Sequence, residues 1–254
     1  MKNNSLVSHL HRAVLCFLAT ALICLVGGCD GNGRVNSLNE ELTAVLENHE
    51  FTGTSEAKFS EKLGRPIDEK RANLGRLLWF DIIGGLNNDN TCGGCHSPTN
   101  GFGDTQPIAI GIDNNFVVGP NRTGPRNQRR TPLAANTALY PSLMWNSRFA
   151  SLSGDPFDNR AGFQFPPPEG LSLSYQPHLL AAQAFIPPSE RVEVAGFSFP
   201  GGNNDIRNEV LRRLNGNGEY VRLFGQVFPE VAIGEPINFD HFGKAIKELL
   251  RRVN

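Results

Sequence analysis

Apolar residues return at helical spacing in five stretches of the chain. Two lie in the first third, at residues 37–49 and 68–80, and three near the end, at 204–216, 217–228 and 238–253. In each stretch apolar positions recur every three or four residues, the pattern of a helix with one buried face. Asn-Gly pairs and a Gly-Glu-Pro sequence separate the last three stretches. The pattern therefore predicts an all-α fold.

The segments between these helices show no sustained periodicity. Residues 81–133 are rich in glycine, asparagine and proline, as expected of loops. Residues 153–178 hold prolines and aromatic residues without the alternation of a strand. We interpret this second segment as an irregular loop and expect an insertion over residues 152–182. The predicted architecture is helical with long irregular loops.

The N-terminus has the pattern of an export signal. Lys2 and Arg12 precede an apolar run over residues 13–26, which is too short to span a bilayer comfortably. The run leads into Val-Gly-Gly directly before Cys29, which resembles the bacterial lipoprotein signal. We therefore expect residues 1–28 to be removed and Cys29 to carry lipid. An ordinary cleaved signal peptide is the alternative.

The segment behind this cysteine indicates where the mature protein would lie. Residues 29–38 are polar and contain glycine, which is typical of a tether, and residues 39–254 would then form the folded domain. By resemblance to the bacterial lipoprotein sorting rule, Asp30 favours retention at the inner membrane. We therefore expect a periplasmic protein held at the inner membrane by its lipid anchor.

Charge and cysteine content narrow the possible functions. Charged residues make up 19% of the chain and the formal net charge is -1, so no field strong enough to attract nucleic acid is expected. Of the five cysteines, Cys16 and Cys24 fall in the signal and Cys29 is the expected lipid site. The folded domain therefore retains one pair, Cys92 and Cys95.

This pair belongs to a C-x-x-C-H motif that ends in His96. The motif is typical of covalent haem attachment, in which Cys92 and Cys95 each add to a vinyl group and His96 becomes the proximal iron ligand. Export agrees with this chemistry, and the motif occurs once, which predicts one covalent haem c. A disulfide or a thiol redox centre is an alternative. A zinc site would need a second pair of ligands, which the sequence lacks.

Several segments, taken in order, resemble a known family. They are LGRLLWFD, TCGGCH, GFGD, RRTPLAANTALYPSLMWNSRFASL, QAFIPPSERVEV and PINFDHFGKAIKELL. Together they resemble the N-terminal half of the bacterial di-haem cytochrome c peroxidase/MauG family over roughly residues 70–252. The resemblance implies a cytochrome c-like haem domain that carries the peroxidatic, low-potential haem, while a second haem domain relays electrons.

The resemblance also implies roles for individual residues. Gln183 and Glu193 match the family's distal glutamine and glutamate, with the same spacing of ten residues. Trp145 matches the tryptophan between the two haems, an electron relay, and Arg148 matches the arginine that follows it. Glu193 would then act as general acid and base, while Gln183 orients peroxide. Plainer interpretations are a surface carboxylate, a helix-surface amide and, for Trp145, core packing.

Four positions complicate the comparison with the family pattern. Ile112 stands where typical members have a distal histidine ligand. Arg130 stands where many have an asparagine that ligates calcium, so a calcium site is not carried over. His178, inside the expected insertion, and Met144 are alternative sixth ligands of the iron, although both residue types are more often found in packing roles.

These observations predict a peroxidase that reduces hydrogen peroxide to water. Its electrons would come from a donor protein, a small cytochrome c or a cupredoxin. Because relatives continue beyond the position of Asn254 into a second haem domain, we expect such a domain or a partner subunit to take part. Two alternatives remain open: a MauG-like oxidase of another substrate, and a non-catalytic electron-transfer module whose iron has six ligands.

Overall fold

The chain divides into two units, Met1–Gly53 and Thr54–Asn254. The computed structural model describes residues 31–51, 53, 60–62, 64–164, 171 and 173–253. The expected signal peptide and Cys29 lie outside the described residues. Within the described part, no helix is both long and apolar enough to cross a membrane.

The described part of the first unit is mainly helix α1, at Gly31–Asn48. The tether expected over residues 29–38 is therefore helical from Gly31 onward. Once a helix is nucleated, each added residue contributes a further hydrogen bond, so the helical pattern of residues 37–49 extends back through the polar residues before it. The second unit begins at Thr54, whereas the sequence led us to expect the folded domain from residue 39.

The second unit is built mainly from helices joined by loops. They are α2 at Glu69–Phe80, α3 at Cys92–Cys95, α4 at Leu179–Gln183, α5 at Asn203–Asn215, α6 at Gly218–Gly225, α7 at Pro229–Ala232 and α8 at Phe239–Arg252. Three helices predicted from apolar spacing, α2, α5 and α8, are confirmed. The stretch 217–228 is helical only as far as Gly225, and Pro229 then opens α7 as its first residue, a position that proline favours.

A small antiparallel sheet lies between α3 and α4 in chain order. Its strands are β1 at Ser142–Leu143, β2 at Phe149–Ser151 and β3 at Phe163–Gln164, in the order β1-β2-β3. Ser142 pairs with Ala150, which pairs in turn with Gln164. The all-α prediction is wrong here, because strands of two or three residues are too short to show alternation. The expected insertion over residues 152–182 likewise contains β3 and most of α4, so it is not irregular throughout.

The core is organised by the crossing of α2 and α8. Gly75 lies so close to α8 that a Cβ atom there would be 2.2 Å from the Ala245 carbonyl oxygen. Over the same region α8 buries apolar side chains that include Phe242, Ile246 and Leu249. The close approach shields apolar atoms of both helices from water. The end of α2 then forms the surface on which the C-x-x-C-H segment packs.

A buried ion pair joins α8 to the segment before α2. Glu248 is fully buried and accepts hydrogen bonds from the Arg65 guanidinium at 2.8 and 2.9 Å and from the Asp68 backbone N–H at 2.8 Å. Lys247 and Arg251 are buried close by. Burial, with the charge of Arg251, lowers the pKa of Lys247 to about 7. One carboxylate therefore compensates several cations at this helix.

Candidate active site

The C-x-x-C-H motif forms the short helix α3 and the residue after it. Thr91 caps the helix, since its Oγ1 accepts a hydrogen bond from the Gly94 backbone N–H at 3.0 Å. Cys92 and Cys95 are three residues apart in α3, which puts them on one face. The His96 N–H donates to the Cys92 carbonyl oxygen at 2.8 Å. One helical turn therefore brings two thiols and an imidazole together.

The two residues between the cysteines must be small. A Cβ atom at Gly93 would lie 2.5 Å from the Phe80 ring, and one at Gly94 would lie 2.5 Å from Oδ1 of Asn90. Contacts this short are repulsive and would force a shift of α3 or its neighbours. Gly93 is thus explained by the packing of α3 against the end of α2, and Gly94 by the packing of α3 against Asn90.

His96 is oriented by a hydrogen bond to the backbone. Its Nδ1 donates to the Phe102 carbonyl oxygen at 3.2 Å, and because a carbonyl can only accept, the ring proton lies on Nδ1. The lone pair is then on Nε2, the atom available to a metal. The Trp79 ring packs beside the imidazole, with 5.5 Å between ring centroids. Burial lowers the pKa of His96, which favours the neutral form that binds metals.

The surroundings of the two thiols fit haem attachment better than thiol redox chemistry. Both cysteines are free thiols. Burial raises the pKa of Cys92 to about 12 and also raises that of Cys95. Redox-active thiols instead have lowered pKa values in electropositive surroundings. Two neutral thiols on one helical turn, next to a histidine with its lone pair on Nε2, form the donor set that a c-type haem needs.

The second part of the site is a π-helix at Arg191–Ala195, which contains Glu193. The Glu190 carbonyl oxygen accepts hydrogen bonds from the backbone N–H groups of Glu193, Val194 and Ala195 at 3.2, 2.9 and 3.0 Å. Helices of this type are rare and often occur at functional sites. One carbonyl oxygen therefore anchors the whole turn that carries Glu193.

The loop around Ile112 packs directly on this π-helix. A Cβ atom at Gly111 would lie 2.1 Å from the Val192 carbonyl oxygen, and the Ile112 N–H donates to that oxygen at 3.3 Å. The Ile112 side chain is buried. Since an alkyl side chain cannot bind iron, Ile112, which the resemblance led us to expect at the position of a distal histidine, would provide no ligand.

Asn90 joins the two parts of the site. Its Nδ2 donates to the Glu193 carbonyl oxygen at 2.8 Å and also contacts Sγ of Cys95 at 3.6 Å. Its Oδ1 accepts a hydrogen bond from Nη2 of Arg122 at 2.6 Å. Both residues are buried, so their polar atoms have to be matched inside the protein. Sequence reasoning missed Asn90 and Arg122, because neither belongs to a motif and only the folded chain shows their partners.

Glu193 is half-buried and has an unusual acidity. Burial raises its pKa from 4.5 to about 7; the Glu190 carboxylate acts in the same direction, and Arg148 acts against it. Nη2 of Arg148 lies 4.0 Å from Oε1 of Glu190. A carboxyl group that titrates near neutral pH can both accept and release a proton under physiological conditions.

Gln183 lies on the same segment of chain as Glu193. It is the last residue of α4 and is half-buried. A short 3₁₀ helix at Pro187–Ser189 connects α4 to the π-helix. The two residues that the sequence singled out are therefore placed on neighbouring elements of one continuous segment.

Trp145 projects from the turn between β1 and β2. It is 62% exposed, and its Nε1 donates to the Arg130 carbonyl oxygen at 2.7 Å. Met144, directly before Trp145, and Ser147, two residues after it, have positive φ angles of 71° and 54°, which are strained for residues other than glycine. Trp145 also lines a surface cavity of about 370 Å³ together with Arg129 and Arg130. Because the side chain is exposed, the alternative interpretation of Trp145 as a core residue is wrong.

His178 and Met144 serve the fold. Nε2 of His178 donates to the Ala138 carbonyl oxygen at 3.0 Å, and Nδ1 accepts from the Leu180 backbone N–H at 3.0 Å, which caps α4. Because both ring nitrogens are hydrogen-bonded and the ring is buried, the alternative of His178 as sixth ligand is wrong. Met144 is partly buried and packs against the hydrophobic core.

A family model described as "Di-haem cytochrome c peroxidase" matches residues 69–254. The chain belongs to this family. Haem-dependent oxidoreductase chemistry is therefore established at the level of the family, which includes peroxidases and MauG.

The curated relatives that this chain matches have low sequence identity to it and are longer than it is. It is 29% identical over 90 residues to the methylamine utilization protein MauG of Methylophilus methylotrophus, covering 35% of this chain and 24% of that protein. It is 24% identical over 188 residues to the cytochrome c551 peroxidase of Pseudomonas aeruginosa, covering 74% and 40%. A crystal structure of a MauG-like protein associated with microbial copper homeostasis aligns with a TM-score of 0.49 at 22% identity, covering 75% of this chain and 42% of that one. The chain spans less than half of each.

One departure from the family concerns calcium. The sequence resemblance led us to expect Arg130 at the position where many members of the family have a calcium-ligating asparagine. Its Nη2 donates to the Asp104 carbonyl oxygen at 2.8 Å, so this position holds a cationic side chain that is already bonded to a backbone oxygen. The residue present does not fit a calcium ligand, and we derive no role for calcium.

Proposed function

We propose that this protein reduces hydrogen peroxide to water at a single covalent haem c held by Cys92, Cys95 and His96. The observation that carries the proposal is the position of Glu193. It combines a pKa near neutrality with a backbone that Asn90 ties to the haem-attachment helix α3. A proton-exchanging carboxyl group beside a haem-binding motif is what peroxide chemistry requires.

The reaction consumes one hydrogen peroxide, two electrons and two protons and releases two waters. When bound, the haem supplies the redox-active iron at which the O–O bond is broken. The Glu193 carboxylate takes a proton from one peroxide oxygen and returns it to the departing oxygen. Gln183 orients the peroxide by hydrogen bonding, and the His96 Nδ1 bond to Phe102 holds the imidazole in its binding tautomer.

We further propose that electrons enter past Trp145. The indole is exposed and oxidisable, and it lies in a turn with a strained backbone that projects it from the surface. The donor would be a small cytochrome c or a cupredoxin, acting through a second haem domain or subunit. The di-haem character of the family supports this arrangement. Arg148, three residues beyond Trp145, would connect the turn electrostatically to the distal carboxylates.

The fold and location form part of the same proposal. We propose a cytochrome c-like arrangement, supported by the close crossing of α2 and α8 next to the haem motif. We also propose that the protein lies in the periplasm, anchored at the inner membrane through lipid on Cys29. Incorporation of a labelled fatty acid that is lost in Cys29→Ser would support the anchor, and equal labelling of the variant would contradict it.

The test of the peroxidase proposal uses the full chain produced in a host that attaches c-type haem. Rapid mixing with hydrogen peroxide measures the rate of reaction of the ferric protein. Glu193→Gln should slow this reaction by about 10²- to 10⁴-fold, the range typical of a general acid-base residue. Glu219→Gln changes an exposed carboxylate paired with Arg222 and serves as the matched control. A Glu193→Gln variant with the wild-type rate would exclude the proposed role.

A MauG-like oxidase is the second candidate. The observation that favours it is the cavity of about 370 Å³ beside the exposed Trp145, where a reductant other than a redox protein could lie. In that case the oxidised substrate, and not a donor cytochrome, would supply the two electrons. The third possibility, a six-coordinate electron carrier, loses support because Ile112 is apolar and His178 is fully hydrogen-bonded.

A further inference from the structure

The segment before Glu193 contains a second carboxylate that the sequence did not single out. Oε1 of Glu190 lies 4.0 Å from Nη2 of Arg148, and both side chains are 33% exposed. The backbone carbonyl of Glu190 also anchors the π-helix, so its position relative to Glu193 is fixed by three hydrogen bonds. The Arg148 guanidinium therefore interacts electrostatically with two carboxylates of the same short segment, those of Glu190 and Glu193.

Other charged groups near Glu193 are bound elsewhere. Within its own π-helix, Arg191 donates to the carbonyl oxygens of Gly196, Phe199 and Gly201. From α3, the thiols of Cys92 and Cys95 face the carboxyl but are uncharged, because burial raises their pKa values.

The loop around Ile112 contributes two more charged groups. Asp113 accepts a hydrogen bond from Nδ2 of Asn87 at 3.2 Å. Arg122 donates to the Asn90 side chain and to the Ile110 carbonyl oxygen. Both side chains are thus hydrogen-bonded to other partners, and the charged groups that act on Glu193 are Glu190 and Arg148.

We propose that Glu190 is a positioning residue that holds the Arg148 guanidinium and so keeps this cation from pairing with Glu193. The inference rests on the proposed function, because it concerns the proton that Glu193 exchanges. A guanidinium paired directly with Glu193 would stabilise the ionised carboxylate, which would then be a poor proton acceptor at neutral pH. By taking up the guanidinium, Glu190 leaves Glu193 able to bind a proton and release it again.

The test measures the titration of Glu193 directly in the haem-loaded protein. Infrared difference spectroscopy follows the carboxyl band, which is assigned to Glu193 by its loss in Glu193→Gln. Glu190→Gln keeps the backbone carbonyl that anchors the π-helix and should lower the Glu193 midpoint by about one pH unit. The acid limb of the pH profile for the peroxide reaction should shift equally. Glu219→Gln should change neither, and an unchanged midpoint in Glu190→Gln would overturn the inference.

A second pair of variants separates the capture of Arg148 from simple repulsion between carboxylates. Arg148→Gln should raise the Glu193 midpoint, and adding Glu190→Gln in that background should then lower it by less than in the wild type. Equal shifts in the two backgrounds would overturn the proposed sharing of Arg148. If the midpoints shift as expected while Glu193→Gln keeps full reactivity with peroxide, the proposed function fails and the positioning role of Glu190 stands.

Discussion

The residue at the centre of the site, Glu193, destabilises the folded protein when its carboxyl group is ionised. Glu193 is half-buried and lies near another carboxylate, so its ionised form is disfavoured in the folded protein. Asn90 and Arg122 are buried polar residues that fix the backbone around it. Glu193, which would have to exchange protons, is thus held where its ionised form is disfavoured.

Replacement of Glu193 should therefore increase stability at alkaline pH. The folded-state pKa of about 7 lies above the ordinary value of 4.5, so the folded protein binds this proton more tightly than the unfolded chain. The stability gained from that proton is fully present below the ordinary pKa and is lost as pH rises through 7. Because glutamine does not ionise, Glu193→Gln should gain in melting temperature over the wild type between about pH 5 and about pH 8. A difference in melting temperature between Glu193→Gln and the wild type that does not change with pH would contradict this prediction.

Trp145 should matter for electron supply more than for stability. Trp145→Phe removes one exposed hydrogen bond to the Arg130 carbonyl, which contributes about 1 kcal/mol or less. Phenylalanine is much harder to oxidise than tryptophan, so reduction by a donor protein should slow while the initial reaction with peroxide does not. Rapid-mixing experiments with peroxide alone and with reduced donor measure the two steps. A variant whose reduction by the donor is as fast as that of the wild type would exclude the relay.

At the scale of elements, the site depends on how closely helices approach one another. The crossing of α2 and α8 at Gly75 sets where the end of α2 lies, and α3 then packs on that end through Gly93. Any shift at the crossing would be passed on to Cys92 and Cys95. The helix pair therefore positions the haem motif as well as forming the core.

Gly75→Ala tests this dependence. The added Cβ atom would lie 2.2 Å from the Ala245 carbonyl oxygen, so α2 and α8 would have to separate. We expect a loss of about 1 to 3 kcal/mol in the free energy of unfolding, measured by denaturant titration. Gly218→Ala, at the first residue of α6 with open space around it, is the matched control and should cost little. Equal stability of the two variants would contradict the packing described.

Sequence patterns predicted some of these elements and missed others for physical reasons. The amphipathic faces of α2, α5 and α8 repeat over three or more turns, so their periodicity is visible in the sequence. The π-helix at Arg191–Ala195 and the small sheet are too short to show a period, and tertiary contacts stabilise them. The motif itself indicated Cys92, Cys95 and His96, whereas Asn90 became visible only through bonds between distant segments.

At the scale of the whole second unit, buried charged residues of its last helix, α8, connect that helix to the segment before α2. Glu248→Gln would leave the Arg65 guanidinium and the buried Lys247 and Arg251 without their compensating carboxylate. We expect a loss of about 3 kcal/mol, the lower end of the range for a broken buried pair, because the Arg65 side chain is 37% exposed. Denaturant unfolding measures it, with the exposed Glu219→Gln as control. A loss no larger than that of the control would contradict the structural role.

The proposed peroxidase would need an iron with a coordination position that no protein side chain fills, and the spin state of the haem-loaded ferric protein tests this most directly. Electron paramagnetic resonance and optical spectra of the haem-loaded chain, recorded before and after one equivalent of hydrogen peroxide, measure it. With His96 as the protein ligand and Ile112 and His178 unable to bind, we predict a high-spin spectrum that peroxide converts rapidly. A low-spin spectrum of a six-coordinate iron that peroxide leaves unchanged would contradict the account.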